Sequence, residues 1–185
     1  LKIQYIATFL AASSFIVFSK IIFTYYQRVR FLNWWTGEGD VQSSASILAL
    51  SKGGFFGSGL VESEFNKGVL PAVHTDFILP IIGEEFGFIG ILSIFILFFL
   101  FMFYGIKILQ NVPDVFGFFL GMGIIMNVII YFIINSSYVV GIFPTTGLPL
   151  PFISYGGSHL VLTLASMGIL LNIAHSNIQK RVIGY

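Results

Sequence analysis

The chain has 185 residues, of which 56% are hydrophobic, 17% aromatic and only 9% charged, with a mean hydropathy of +0.93. A soluble domain covers its surface with roughly 25% charged residues, so this composition excludes one and points to the bilayer as solvent. The formal net charge of +1 gives no basic field for nucleic acid, and the absence of cysteine excludes disulfides, thiolate nucleophiles and Cys-ligated metals.

A hydrocarbon core of about 30 Å takes about 20 apolar residues as helix, and runs of that length predict an all-α fold, a polytopic transmembrane helix bundle with about four crossings. The first is expected over residues 1–26, with Lys20 able to snorkel to an interface. It starts at Leu1 with neither a charged leader region nor a cleavage site, which reads as a piece of a larger membrane protein rather than a signal peptide. Residues 27–76 then form a long polar loop that holds Glu38, Asp40, Glu62, Glu64 and Asp76, five of the eight acids. Loops of that length tend to be functional. Ser43 to Ser51 reads as a short interfacial helix within it, followed by tight turns at Gly53, Gly54, Gly57 and Gly59. A second crossing over 77–106, a connection over 107–114 and a third crossing over 115–135 come next. A Pro/Gly-rich loop over 136–157, a fourth crossing over 158–175 and a tail over 176–185 complete the chain. Lys and Arg divide evenly between the two sides, so charge alone does not orient the bundle. The tie fits a loop that keeps cations for an anionic ligand.

Asp76 is the most informative acid, because Pro71-Ala-Val-His-Thr-Asp76 runs straight into apolar Phe77-Ile-Leu-Pro80 at a membrane–water boundary. Partial desolvation there raises a carboxyl pKa toward the range of a general base, whereas a helix N-cap is the competing reading and makes a poorer base. Glu84 and Glu85 are adjacent and point about 100° apart on a helix, so at least one is expected to face a bundle interior or cavity, unless both sit at a wet interface. Gly83-x-x-x-Gly87 and Gly117-x-x-x-Gly121 read first as sites of close helix approach. Residues 143–158 are too rich in Pro and Gly for a plain helix and too apolar for an exposed loop, which fits a re-entrant or cavity-lining segment. Its end, Ser154, Tyr155, Gly156, Gly157 and Ser158, either aims backbone amides at an anion or forms a rigid turn that seats the last helix. Arg28 and Arg30 could clamp a phosphate or serve as interfacial anchors. His74, His159 and His175 lack ligand spacing, so no metal site is read from side chains, and no nucleotide or serine-hydrolase motif is present.

Three blocks resemble a known family: Gly53-Gly-Phe-Phe-Gly-Ser-Gly-Leu60, Leu70-Pro-Ala-Val-His-Thr-Asp-Phe-Ile78 leading to Gly83-Glu-Glu-Phe-Gly87, and Pro144-Thr-Thr-Gly-Leu-Pro-Leu-Pro-Phe-Ile-Ser-Tyr-Gly-Gly-Ser158. Tyr26-Gln-Arg-Val-Arg30 adds a weaker fourth. The chain resembles the SEDS family of bacterial membrane proteins (shape, elongation, division and sporulation), to which FtsW, RodA and SpoVE belong, with a lean to the FtsW and SpoVE branch. The resemblance implies the carboxy-terminal four of about ten helices, in the cytoplasmic (inner) membrane, with the loop and the Pro-rich segment facing outward. It implies polymerisation of lipid II into glycan strands, with inversion at the anomeric carbon and release of undecaprenyl pyrophosphate. Asp76 falls on the family's essential acid and would act as base. Arg28, Arg30, Lys52, His74, Thr75, Glu85, Ser154, Tyr155, Gly156, Gly157 and Ser158 are the implied substrate-binding residues, with a divalent cation, Mg or Mn, as a further source of positive charge. The implied partners are a class B penicillin-binding protein and other cell-division or elongation membrane proteins, with no nucleic acid. The chain departs from the family at Gly68, where division-type members often carry an acid; Glu62 and Glu64 lie nearby. A flippase of the lipid-linked precursor and a non-catalytic scaffold are the competing functions; the near-absence of charge in the crossings speaks against the flippase.

Overall fold

The computed structural model describes residues 24–37, 41–59 and 75–183, with side chains described through residue 176. Most of the first expected crossing, together with Glu38, Asp40, Glu62, Glu64, Gly68 and His74, lies outside the described residues. All regular structure among the described residues is helical: α1 (Tyr25–Thr36), α2 (Val41–Gly53), α3 (Ile78–Leu109), α4 (Val115–Val139) and α5 (Gly157–Ile183). Three stretches are long and apolar enough to cross a membrane: Ile78–Leu109, Val115–Val139 and Gly157–Ser176. The last is longer than its apolar run suggests because the helix starts at Gly157, ahead of Leu160.

The polar loop differs from its sequence reading. The interfacial helix expected over Ser43–Ser51 is present as α2. A further helix, α1, covers Tyr26 to Arg30, and Thr24 before it is extended (φ −98°, ψ 108°), so the chain does not run on from the first apolar segment as one unbroken helix.

α3 is interrupted at Gly87, whose backbone (φ 67°, ψ −159°) is not helical. This conformation is open essentially to glycine alone. Beyond it, residues 88–109 make about 33 Å of helix at 1.5 Å per residue, close to one hydrocarbon thickness of about 30 Å. A break in such a helix strands backbone groups that lipid cannot hydrogen-bond. Here the turn after α2 supplies the partners. Ser58 and Gly59 N–H donate to the Glu84 and Glu85 carbonyls at 2.8 and 3.3 Å, while Phe88 and Ile89 N–H donate to the Gly54 and Phe55 carbonyls at 3.0 and 3.4 Å. The Ser58 hydroxyl adds a bond to the Glu84 carbonyl at 2.9 Å. The two backbones come so close that a Cβ on Gly53 would strike the Gly83 carbonyl, and one on Gly87 would strike Gly57 N–H and, at 2.7 Å, the Phe55 carbonyl. The glycines of the first and second blocks therefore serve one interlock. In Gly83-x-x-x-Gly87, Gly83 admits the end of helix α2 at Leu50 and Gly53, as expected of a site of close helix approach, and Gly87 admits the turn that follows it.

α3 and α4 pack through stacked Phe98 and Phe132 (centroids 4.2 Å) and through Gly105, which leaves room for Ile125. Gly121 receives the Leu109 side chain from α3, and a Cβ on it would stand 3.3 Å from Leu170 of α5; one on Gly117 would stand near Val112 and Ile173. The second Gly-x-x-x-Gly thus seats side chains rather than a helix backbone. Asp114 caps α4, accepting from Phe116 and Gly117 N–H at 3.4 and 2.8 Å. The other end of α4 closes through left-handed Gly141 (φ 79°): Gly141 N–H donates to the Tyr138 carbonyl and Ile142 N–H to that of Ser137. α2 joins it there, with buried Ser46 Oγ 2.7 Å from the Val139 carbonyl.

The interlock predicts a graded cost. Gly87→Ala combines a forbidden backbone with overlap and should destabilise by about 3 kcal/mol or more. Gly54→Ala, at φ 54° with open space around it, should cost about 1–2 kcal/mol. Thermal melting of the two variants in one detergent checks the order.

Candidate functional site

The turn that delivers Asp76 ends at Phe77, which is the N-cap of α3 and makes no side-chain capping bond. The capping position considered for Asp76 is thereby taken by Phe77. Thr75, half-buried beside Asp76, hydrogen-bonds its carboxylate, and Arg30 of α1 faces it electrostatically. Burial raises the carboxyl pKa above its ordinary value, against the lowering effects of the Thr75 bond and the Arg30 charge. A carboxylate so placed holds a proton more readily than a free one and still has a cation at hand when ionised.

The Pro/Gly-rich segment forms the opposing wall. Gly147 is left-handed (φ 73°), and Asp76 Oδ2 lies 3.3 Å from where a Cβ would stand on it. Any side chain there would crowd the carboxylate. Arg30 reaches the same wall, its Nη1 donating to the Thr145 carbonyl at 3.1 Å, with the guanidinium 4.4 Å from the Tyr26 ring centroid. α1 is held in place one turn further on: Trp34 Nε1 donates to the Gly141 carbonyl at 3.0 Å, and its ring stacks on Phe143. Behind Asp76, buried Asn135 and Tyr138 of α4 hydrogen-bond its main-chain carbonyl. Four separate parts of the chain therefore converge on one acid: α1, the turn before α3, the end of α4 and residues 145–148.

The FtsW/RodA/SpoVE family, described as "Cell cycle protein", matches residues 1–179. The chain belongs to that family. Among relatives, it is 48% identical over 129 residues to the "Probable peptidoglycan glycosyltransferase FtsW" of Trichlorobacter lovleyi, covering 70% of this chain and 34% of the relative. It is 42% identical over 160 residues to the same-named protein of a Geobacter species (83% and 44% covered). With "Stage V sporulation protein E" of Bacillus subtilis it shares 44% identity over 147 residues (78% and 40% covered). The chain thus spans between about a third and under half of the length of these curated relatives. A solved chain from "Structural coordination of polymerization and crosslinking by a peptidoglycan synthase complex" matches with a TM-score of 0.69 at 25% identity, covering 95% of this chain and 50% of that one. The protein is an integral membrane protein of the FtsW and SpoVE type.

Against this FtsW/RodA/SpoVE frame, the residues singled out from sequence separate into groups. Thr75, Asp76 and Arg30 meet. Arg28 lies two residues from Arg30, about 200° around α1, and is exposed, so the two do not form a joint clamp. Lys52 and Glu85 lie near the Gly87 break, with Glu85 about 10 Å along α3 from its start. Of the acidic pair it is Glu84 that is buried, at 2% exposure. The Ser154 hydroxyl accepts from Leu150 N–H at 2.8 Å inside a buried turn, which supports the rigid-turn reading for this residue. Tyr155, Gly157 and Ser158 are exposed, and the Gly156 carbonyl accepts from Leu160. The half of the Pro-rich block that reaches Asp76 is its first, Thr145 to Leu148. Sequence reasoning missed Asn135, Tyr138, Thr145 and Gly147. A polar pair at i, i+3 closing an apolar helix was the available signal, since such groups are buried only when paired. Among the described residues no three His, Asp or Glu side chains converge as metal ligands, and the cation beside Asp76 is Arg30.

Removing the Arg30 charge should raise the Asp76 pKa further, since a neighbouring cation favours the carboxylate. Titration of labelled aspartate carboxyls by NMR in Arg30→Gln checks the direction; a downward shift would contradict the geometry.

Proposed function

We propose that the complete protein is a peptidoglycan glycosyltransferase that polymerises lipid II, with Asp76 as its general base. The single observation that carries this is a half-buried carboxylate, raised in pKa by burial, that is bonded to Thr75 and acted on by the Arg30 charge. The names of the relatives support the reaction class. In the step proposed, the GlcNAc 4-hydroxyl of the acceptor attacks the MurNAc anomeric carbon of the donor. The new glycosidic bond forms as the bond to pyrophosphate breaks with inversion, the hydroxyl proton passes to Asp76, and undecaprenyl pyrophosphate leaves. One base is sufficient because the leaving group needs charge neutralisation rather than a proton. Arg30 is placed to supply part of that charge. Its bond to Thr145 and its stack on Tyr26 fix the guanidinium in advance, which avoids reorganisation during the reaction.

In the same reading the active-site face points outward from the inner membrane. The strands made are passed to a class B penicillin-binding protein for cross-linking. The similarity to a chain from a synthase complex that couples polymerisation to cross-linking supports that partnership.

Asp76→Asn in the full-length protein should reduce polymerisation of purified lipid II by roughly a hundredfold or more, the usual scale for loss of a general base. Expression and partner binding should be unchanged. The base works only when ionised, so the rate falls as pH drops through the Asp76 pKa, and burial puts that acid limb at higher pH than an unperturbed aspartate would give. Normal glycan polymer from Asp76→Asn would overturn the assignment and favour a scaffold or transporter.

A further inference from the structure

Asn135 and Tyr138 lie one turn apart near the end of α4, both at 0% exposure. Besides the bond between their own side chains, both reach out of the helix. Asn135 Nδ2 is 3.0 Å from the Asp76 carbonyl and 2.8 Å from the Leu148 carbonyl. The Tyr138 hydroxyl is 2.8 Å from the same two carbonyls, and 2.6 Å from the amide nitrogen. The amide brings two hydrogens and the hydroxyl one, and these three are shared among the two carbonyl oxygens and the Tyr138 oxygen. Asn135 Oδ1, by contrast, is buried with no hydrogen-bond partner among the described residues. The amide is oriented for its donors and leaves its acceptor unused, against the strong tendency of buried polar atoms to be paired. The Tyr138 ring is fixed separately, edge-on to Phe77 with centroids 5.5 Å apart.

What the pair joins is more informative than the pairing itself. One carbonyl belongs to Asp76, and the other to Leu148, the neighbour of the glycine against which Asp76 Oδ2 rests. These residues are 72 positions apart in sequence and share no helix or sheet. With both main chains held by one turn of α4, the Asp76 Cα and the Gly147 wall keep a fixed separation. We propose that Asn135 and Tyr138 are positioning residues for the Asp76 carboxylate. By clamping the Asp76 and Leu148 carbonyls together they set the depth and direction at which the carboxylate meets a substrate hydroxyl. The inference rests on the general-base reading of Asp76, and neither residue touches the reacting atoms.

The test uses the full-length protein with purified lipid II, comparing Asn135→Leu, Tyr138→Phe and Asp76→Asn, with rates normalised to folded protein. Asn135→Leu removes both amide donors at similar volume and should lower kcat by roughly ten- to a hundredfold, the scale of an ångström-level misplacement. KM should change by less than about twofold, because substrate contacts are untouched. Tyr138→Phe keeps the ring and leaves the amide on both carbonyls, so its kcat should fall less. The acid limb of the kcat profile should move to lower pH in Asn135→Leu, since a loosened carboxylate is better hydrated. Among the described residues the titratable groups facing it are Arg30 from α1 and Tyr138 from α4, both retained in that variant. A wild-type kcat in both clamp variants, with Asp76→Asn inactive, overturns the positioning role alone. Loss that only tracks lost folded protein, with the acid limb unmoved, also overturns it. An active Asp76→Asn removes the general-base reading and the clamp proposal together.

Discussion

A membrane-spanning helix cannot leave backbone amides and carbonyls unpaired, and this constraint governs how the Gly87 break and everything attached to it are built. Four backbone bonds cross between the break and the turn over residues 54–59. Each of the two carbonyls at 84 and 85, which would otherwise have served Phe88 and Ile89, is taken by the turn. The exchange turns a defect into an attachment point. It fixes α2 to α3 in a place where side chains are excluded, and α2 in turn meets the end of α4 through Ser46.

The C-terminal end of α4 is the second point of convergence. Helix ends present carbonyls in need of donors, and here the donors come from far along the chain: Ser46 to Val139, Trp34 to Gly141, Arg30 to Thr145. The same region sends its own donors back to Asp76 through Asn135 and Tyr138. The acid is therefore located by traffic in both directions. Among the described residues, Thr75 is the side chain that hydrogen-bonds its carboxylate.

Much of the fold was legible in the sequence because apolar length and glycine placement act locally. Runs of about 20 apolar residues announced α3 and α4 and a shorter run announced α5, while the glycines at 54, 57 and 59 marked the turn and Gly53 closes α2. Asp76 stood out by its position at the edge of an apolar run. The partners of these features were not legible. Nothing local at Gly87 says that its neighbour is Gly57, and no spacing says that Thr145 meets Arg30 across 115 residues. α1 was missed because its aromatic and charged residues carry no periodic apolar face; it is held by Trp34 and Arg30 rather than by a stripe. In the Pro-rich block, the serine and glycine end looked suited to an anion, but Ser154 satisfies a local turn and the plainer half carries the wall.

The attachment of α1 through an indole has an optical consequence. Both tryptophans of the chain, Trp34 and Trp35, are on this helix. Trp34 is stacked on Phe143 and bonded to a carbonyl, while Trp35 is 73% exposed. The intrinsic emission of this part of the protein is thus the sum of one seated indole and one exposed one. Its blue component belongs to the seat on the Pro/Gly-rich wall, so the chain carries its own fluorescent gauge of whether the helix bearing Arg30 is docked beside Asp76.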